Sequence, residues 1–134
     1  MRTWVIPCNP NYYNVQEAFS KLKILDWKQN EGYDIQVGDL IYIYVGKPVQ
    51  AILFKCKVNK VDLCKVEIDD HEFVIDGTNY LEYSKHMELE LIKCFNDDEL
   101  TFDILKQNGI KGYIQGYRLV DTTKDWCRYL LSIG

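Results

Sequence analysis

Two histidines and five cysteines with no CxxC pair leave little material for a metal site or a thiol relay. Cys8, Cys56, Cys64, Cys94 and Cys127 are odd in number and irregularly spaced, which argues against a disulfide framework and against a zinc knuckle. They read as reduced thiols of a cytoplasmic protein, several of them in the core. No apolar run is long enough for a secretory signal or a membrane span, so no membrane partner is expected. The phosphate-binding glycine loops, the GxSxG elbow and the HExxH zinc helix are all missing. His71 and His86 have no neighbours that complete a relay, and neither a metal nor a cofactor is expected.

What the chain has is a core and many rings. Its 134 residues suit one domain spanning 1–134, and an apolar share of 47% is enough to bury a core without staples. Ten Tyr, five Phe and three Trp are more rings than so small a domain hides, so some are expected in a pocket. Net charge is −4, with the acidic excess at Asp69-Asp70-His71-Glu72 and Asp97-Asp98-Glu99. Affinity for a nucleic acid would then come from a pocket more than from neutralising phosphates.

Thr3 to Cys8 reads as a strand, followed by the turn Asn9-Pro10-Asn11. Asn14 with Glu17 three residues on is a capping-box pattern, and Val15, Ala18, Phe19 and Leu22 lie on one face of the helix it opens. Ile24-Leu25-Asp26-Trp27 is a short extended piece. The Gly38-Asp39 turn launches a strand over 40–45, and Gly46-Lys47-Pro48 breaks it. A second strand over 51–61 alternates Ile52, Phe54, Cys56 and Val58 with Leu53, Lys55, Lys57 and Asn59, implying one buried face and one wet, partly basic face. The sheet is expected to continue over 63–68, and 69–84 to be an irregular connection. Met87, Leu89 and Leu91 alternate with Glu88 and Glu90 in another strand. Thr101 caps a helix over 102–108, Leu100 and Leu105 hold the hydrophobic-staple positions, and Gly109 stops it. A last strand is expected within 113–120, and a final helix capped by Thr123 with Trp126, Tyr129, Leu130 and Ile133 on one face. The sum is an α+β fold of about five to six strands with short flanking helices, a sheet able to curl into a small open barrel.

A nucleobase lifted from its stack needs an aromatic wall, amide donors and acceptors on its edge, and close backbone approach. Each occurs near an expected strand end. Trp27 follows an apolar pair, with Lys28 next. Asn9 sits just past the first strand, where its amide both donates and accepts. Tyr44, Gly46 and Pro48 cluster at the hairpin rim. Gln115 and Arg118 bracket a glycine and a tyrosine late in the chain. Each has a plainer reading as well: Trp27 and Tyr44 as packing, Asn9-Pro10 as a turn, Arg118 as a partner of an acid.

The order Trp4-Val5-Ile6-Pro7-Cys8-Asn9-Pro10, Asp26-Trp27-Lys28, Val37-Gly38-Asp39, Tyr42-Ile43-Tyr44-Val45-Gly46 with Pro48, Ala51-Ile52 and Cys56-Lys57-Val58 resembles an EVE domain. Leu105 to Ile110, Gln115-Gly116-Tyr117-Arg118 and a closing helix with Trp126 are similar to that family's ending. The likeness covers most of the chain and is weakest over 62–86. It implies a PUA-like fold, related to the YTH, ASCH and SRA modules, which read modified or flipped bases in RNA or DNA. It implies a non-catalytic role, with Asn9, Trp27, Tyr44, Gly46 and Arg118 lining the pocket and Trp27 stacking on the base. EVE domains often stand beside a nuclease, which this chain does not carry, and its acidity leaves DNA, RNA and a free nucleotide open. Two other readings stand beside the base reader: an adaptor binding a protein partner through Asp69, Asp70 and Glu72, and a small nucleotide-acting enzyme using Cys8 or Lys28.

Overall fold

A computed structural model describes residues 2–11, 13–28, 33–63 and 86–134. The elements run β1 (Thr3–Cys8), α1 (Val15–Lys21), β2 (Ile24–Lys28), β3 (Leu40–Val45), β4 (Ala51–Leu63), β5 (His86–Cys94), α2 (Phe102–Gln107), β6 (Arg118–Leu119) and α3 (Asp125–Ile133). The strands form one mixed sheet in the order β2-β5-β4-β3-β1-β6. β1 and β3 run parallel, and the remaining neighbours are antiparallel. The expected α+β architecture is the one observed. Residues 64–68, the expected connection over 69–84 and the acidic run at Asp69, Asp70 and Glu72 lie outside the described residues.

The sheet is covered on both faces, and β-strand periodicity sorts the residues. From β1, Trp4, Ile6 and Cys8 enter a first core with Val15, Ala18 and Phe19 of α1. Val5 points the other way, into a second core with Leu105 of α2 and Trp126, Cys127 and Leu130 of α3. β3 divides likewise, Ile41, Ile43 and Val45 against Tyr42 and Tyr44, so it is apolar along its whole length.

β4 departs from the expected alternation at one residue. Ile43 pairs with Phe54 but Tyr44 pairs with Ile52, so Leu53 is an extra residue in β4. Leu53 and Phe54 therefore both enter the first core, while Ile52 joins the second. A bulge of this kind reverses which face later residues occupy. The Leu53 carbonyl accepts from Phe95 N–H at 2.8 Å, and Ile52 N–H donates to Leu100 O at 2.9 Å. These bonds carry the chain after β5 onto the second face, where α2 begins.

Local signals set the ends of α1 and α2. Asn14 Oδ1 accepts from Glu17 N–H at 3.2 Å, and its amide donates to the Glu17 carboxylate. Thr101 Oγ1 accepts from Ile104 N–H at 3.2 Å, and Leu100 and Leu105 meet in the second core. At the far end Gly109 has φ +105°, Ile110 N–H donates to Leu105 O and Gly109 N–H to Lys106 O, a Schellman closure.

One expectation about α3 is corrected. Thr123 does not cap α3: its N–H and hydroxyl both donate to Asp121 Oδ1, and Lys124 at the cap position makes no side-chain bond to the helix. The last strand lies within 113–120 as expected and is two residues long. Arg118 Nη2 folds back onto the carbonyls of Lys111 and Tyr113, and Gly112 turns at φ +71°, so the chain before β6 coils instead of pairing.

Candidate functional site

β1 and β3 end side by side, Cys8 opposite Val45. Both chains must turn there, and they turn apart. Asn9 Oδ1 accepts from Asn11 N–H at 2.9 Å, an Asx turn that carries β1 toward α1. Gly46 N–H donates to Cys8 O at 2.9 Å and opens the turn leaving β3. A crevice outside the carboxyl ends of adjacent parallel strands is a common place for a ligand. Here it is a cleft of about 410 Å³, with Asn9 and Asn11 on one lip, Gly46 and Lys47 on a second, and Ile114 and Gln115 closing the third. Pro7, Cys8 and Tyr44, at the ends of the two strands, complete its lining.

Cys8 and Tyr44 are buried, on opposite faces of the sheet. Tyr44 is a core residue whose ring meets Phe102 edge-on at 6.3 Å; Phe102 in turn stacks on the exposed Tyr113 at 5.4 Å. Burial, and then the Asp103 carboxylate, push the Tyr44 phenol up from its ordinary value, so it stays protonated. Burial pushes the Cys8 thiol up to about 12, and its Sγ lies 3.8 Å from the Tyr13 carbonyl. A thiolate at Cys8 is therefore not populated at neutral pH.

The lips are polar and unspent. Asn9 keeps its amide N–H₂ and one carbonyl lone pair, and neither the Gln115 amide nor the Lys47 ammonium has a partner among the described residues. The cleft thus offers two neutral amides and an exposed cation beside the Tyr44 ring and Ile114.

Of the residues singled out by sequence, Asn9, Tyr44, Gly46 and Gln115 come together here. Tyr44 does so as a buried residue rather than as rim. A Cβ on Gly46 would meet Cys8 O at 3.6 Å and Pro10 Cδ at 3.7 Å, which is ordinary contact. Pro48 is exposed one residue beyond the lining Lys47, after a cis peptide bond. Arg118 holds the 111–113 turn and lines a different cleft. Lys28 ends β2, paired with His86. Trp27 does not face Tyr44. It is half-buried against the first core, edge-on to Tyr13 at 5.8 Å, whereas Tyr44 belongs to the second core, so the sheet separates them. Trp27 and Tyr44, expected to line one pocket, are therefore not brought together.

Asn11, Lys47 and Ile114 were not anticipated. Lys47 carried a signal, since it sits between Gly46 and Pro48 in the turn already singled out. Ile114 carried none, because its place depends on α2 packing against β3. Among the described residues no helix is long and apolar enough to cross a membrane, and no group of three or more His, Cys, Asp or Glu could hold a metal ion.

No family model matches the sequence, and no curated protein matches it. Solved structures do match in fold. ASCH from Zymomonas mobilis is 12% identical, covers 98% of this chain and 95% of its own, and superposes with a TM-score of 0.65. A protein from Pseudomonas syringae is 16% identical, with coverage of 97% and 98% and a TM-score of 0.64. A hypothetical protein from Leishmania major is 15% identical, with coverage of 99% and 94% and a TM-score of 0.60. The likeness is one of fold over nearly the whole chain. It agrees with the expected α+β fold; the EVE resemblance itself rests on the sequence motifs.

Proposed function

We propose that this domain binds nucleic acid and receives one base, unstacked from its neighbours, in the cleft at the ends of β1 and β3. The observation that carries the reading is the convergence of three uncommitted polar groups, on Asn9, Lys47 and Gln115, around one cleft that Pro7, Tyr44 and Ile114 also line. Asn and Gln amides suit the mixed donor and acceptor edge of a base, and the Lys47 ammonium suits a phosphate beside it. A likeness in fold to an ASCH protein supports the same class of ligand. The role is recognition without chemistry: Cys8 is a neutral thiol with no base beside it, and the amides neither donate nor take a proton at neutral pH.

The test is equilibrium binding of labelled single-stranded and duplex RNA and DNA, unmodified and base-modified, to the parent and three variants. Asn9→Ala and Gln115→Ala are each expected to weaken the preferred oligonucleotide by about tenfold, in line with roughly 1–3 kcal/mol for a good amide–base contact. Trp27→Ala is expected to leave binding within about twofold. Loss of binding in Trp27→Ala with Asn9→Ala and Gln115→Ala unaffected would move the base to the Trp27–Tyr13 pair, where stacking contributes roughly 1–3 kcal/mol.

A further inference from the structure

The hydrogen bonds at the ends of β1 and β3 are unequal in kind: they consume acceptors and leave donors. Asn9 Oδ1 accepts from Asn11 N–H at 2.9 Å, and the Asn9 main-chain carbonyl accepts from Tyr13 N–H at 3.2 Å. Cys8 O accepts from Gly46 N–H at 2.9 Å. Gly46 O accepts from Val49 N–H at 3.1 Å and from Gln50 N–H at 3.3 Å. No Asp or Glu among the described residues lines the cleft.

The bond to Asn11 also fixes which way the Asn9 amide faces. Turning it over would set its N–H₂ against the Asn11 N–H, donor against donor, so the oxygen stays on the turn and the N–H₂ is what Asn9 has to offer a ligand. The side-chain amides of Asn11 and Gln115 carry no such bond among the described residues and can rotate to suit a donor or an acceptor. Asn9 is therefore the one amide of the cleft whose polarity is set before a ligand arrives.

Bases differ in polarity at the matching place. Uracil, thymine, guanine and hypoxanthine carry an exocyclic oxygen beside a ring N–H. Cytosine and adenine carry the reverse, an exocyclic N–H₂ beside a bare ring nitrogen. An amide that reads adenine in two bonds needs its oxygen as well as its N–H₂, and the Asn9 oxygen is engaged in the turn.

We infer that Asn9 makes this cleft selective for an oxo base, its Nδ2–H₂ donating to the exocyclic oxygen while Gln115 Oε1 accepts from the ring N–H beside it. The inference rests on the base-binding reading of the cleft and names the class of base. An exocyclic amine in the same place would meet the Asn9 N–H₂ donor to donor. Gln115 can turn to accommodate the reversed edge; Asn9 cannot without giving up the turn.

The experiment exchanges one group at a time. Single-stranded RNA and DNA oligonucleotides, identical except at one central base, are compared in pairs: uracil with cytosine, and hypoxanthine with adenine. Each pair swaps an oxo for an amino group on the same ring. The parent is expected to bind the oxo member about tenfold more tightly. Asn9→Asp keeps the oxygen that the turn needs and replaces only the N–H₂ by an acceptor, so it is expected to fold like the parent, by thermal midpoint, and to reverse the preference toward the amino member by about threefold to tenfold. The added carboxylate repels phosphates in both members alike, so the ratio within a pair is the readout. Asn9→Ala is expected to bind both members more weakly and about equally. Equal binding of the two members by the parent, or an oxo preference that survives in Asn9→Asp, would overturn the inference and leave the base cleft standing. Failure of every oligonucleotide to bind the parent would remove the base cleft itself, and the inference with it.

Discussion

Tyr42 buries its hydroxyl in the second core with no hydrogen-bond partner, and burial pushes the phenol up from its ordinary value. The Lys55 ammonium lies 5.7 Å from the ring centroid but donates to Gly134 O at 2.7 Å instead. An unpaired buried hydroxyl costs about 1–3 kcal/mol. Tyr42→Phe is therefore expected to stabilise the protein by about 1 kcal/mol, read as a higher urea midpoint at unchanged m-value. Asp39 is the opposite case. Burial alone would raise its carboxyl, but Arg2 N–H at 2.9 Å, Gln36 N–H at 3.0 Å and Trp4 Nε1–H at 3.1 Å together hold it below the usual value. A lowered folded pKa adds stability above the unfolded value of about 3.9, and that stability is lost as pH falls through the folded one. Asp39→Asn should cost about 2–3 kcal/mol at pH 7, with the gap to the parent closing in acid unfolding below about pH 4. The thiols separate by burial. Cys94 is exposed while Cys8, Cys56 and Cys127 are buried, with burial raising all three. Among these four, iodoacetamide at pH 8 should label Cys94 first and the others only on unfolding, as peptide mapping would show.

At the scale of the element, α2 is the piece whose limits are written into neighbouring residues. Thr101, the Leu100–Leu105 staple and Gly109 act within one turn of the helix they bound, so their effect survives in a linear reading. Gly109 gives the quantitative test. A Cβ there would have open space, its nearest neighbour being Asp125 Cβ at 4.0 Å, so any cost is conformational. Gly109→Ala should destabilise by about 1 kcal/mol through the φ of +105° alone, seen in the thermal midpoint. α3 shows the limit of such reading. Thr123 is a good cap by type, but Asp121 two residues earlier takes both of its donors into a competing turn. The same competition leaves the α3 N-terminus without a side-chain acceptor.

For the whole molecule, a formal charge of −4 excludes binding by bulk electrostatics. The cation that lines the proposed cleft is Lys47. Oligonucleotide affinity should therefore fall with salt along a log–log slope of about −1 to −3, well short of a protein that neutralises six or more phosphates. Fluorescence anisotropy between 50 and 200 mM salt would measure it; a steep slope would mean that the contact surface extends far beyond this cleft. Burial of the sheet on both faces also explains why its tyrosines are poor guides to function. Tyr42 and Tyr44 alternate out of the first core only to enter the second.

Period-two and period-three-to-four patterns, together with caps and turn residues, sufficed for β1, β3, β5, α1 and α2, because those signals act over a few residues and need no partner. Asn9, Tyr44, Gly46 and Gln115 could be singled out on the same ground, since strand ends and turns are local features. Which of them share a cleft was decided by pairing across the chain. The parallel pairing of β1 with β3 sets Asn9 beside Gly46, the Leu53 bulge sends the following chain to the second face, and α2 brings Ile114 and Gln115 over Tyr44. Trp27 was grouped with Tyr44 for that reason: an indole on β2 and a phenol on β3 look alike in one dimension, and only the sheet between them shows that they face opposite ways.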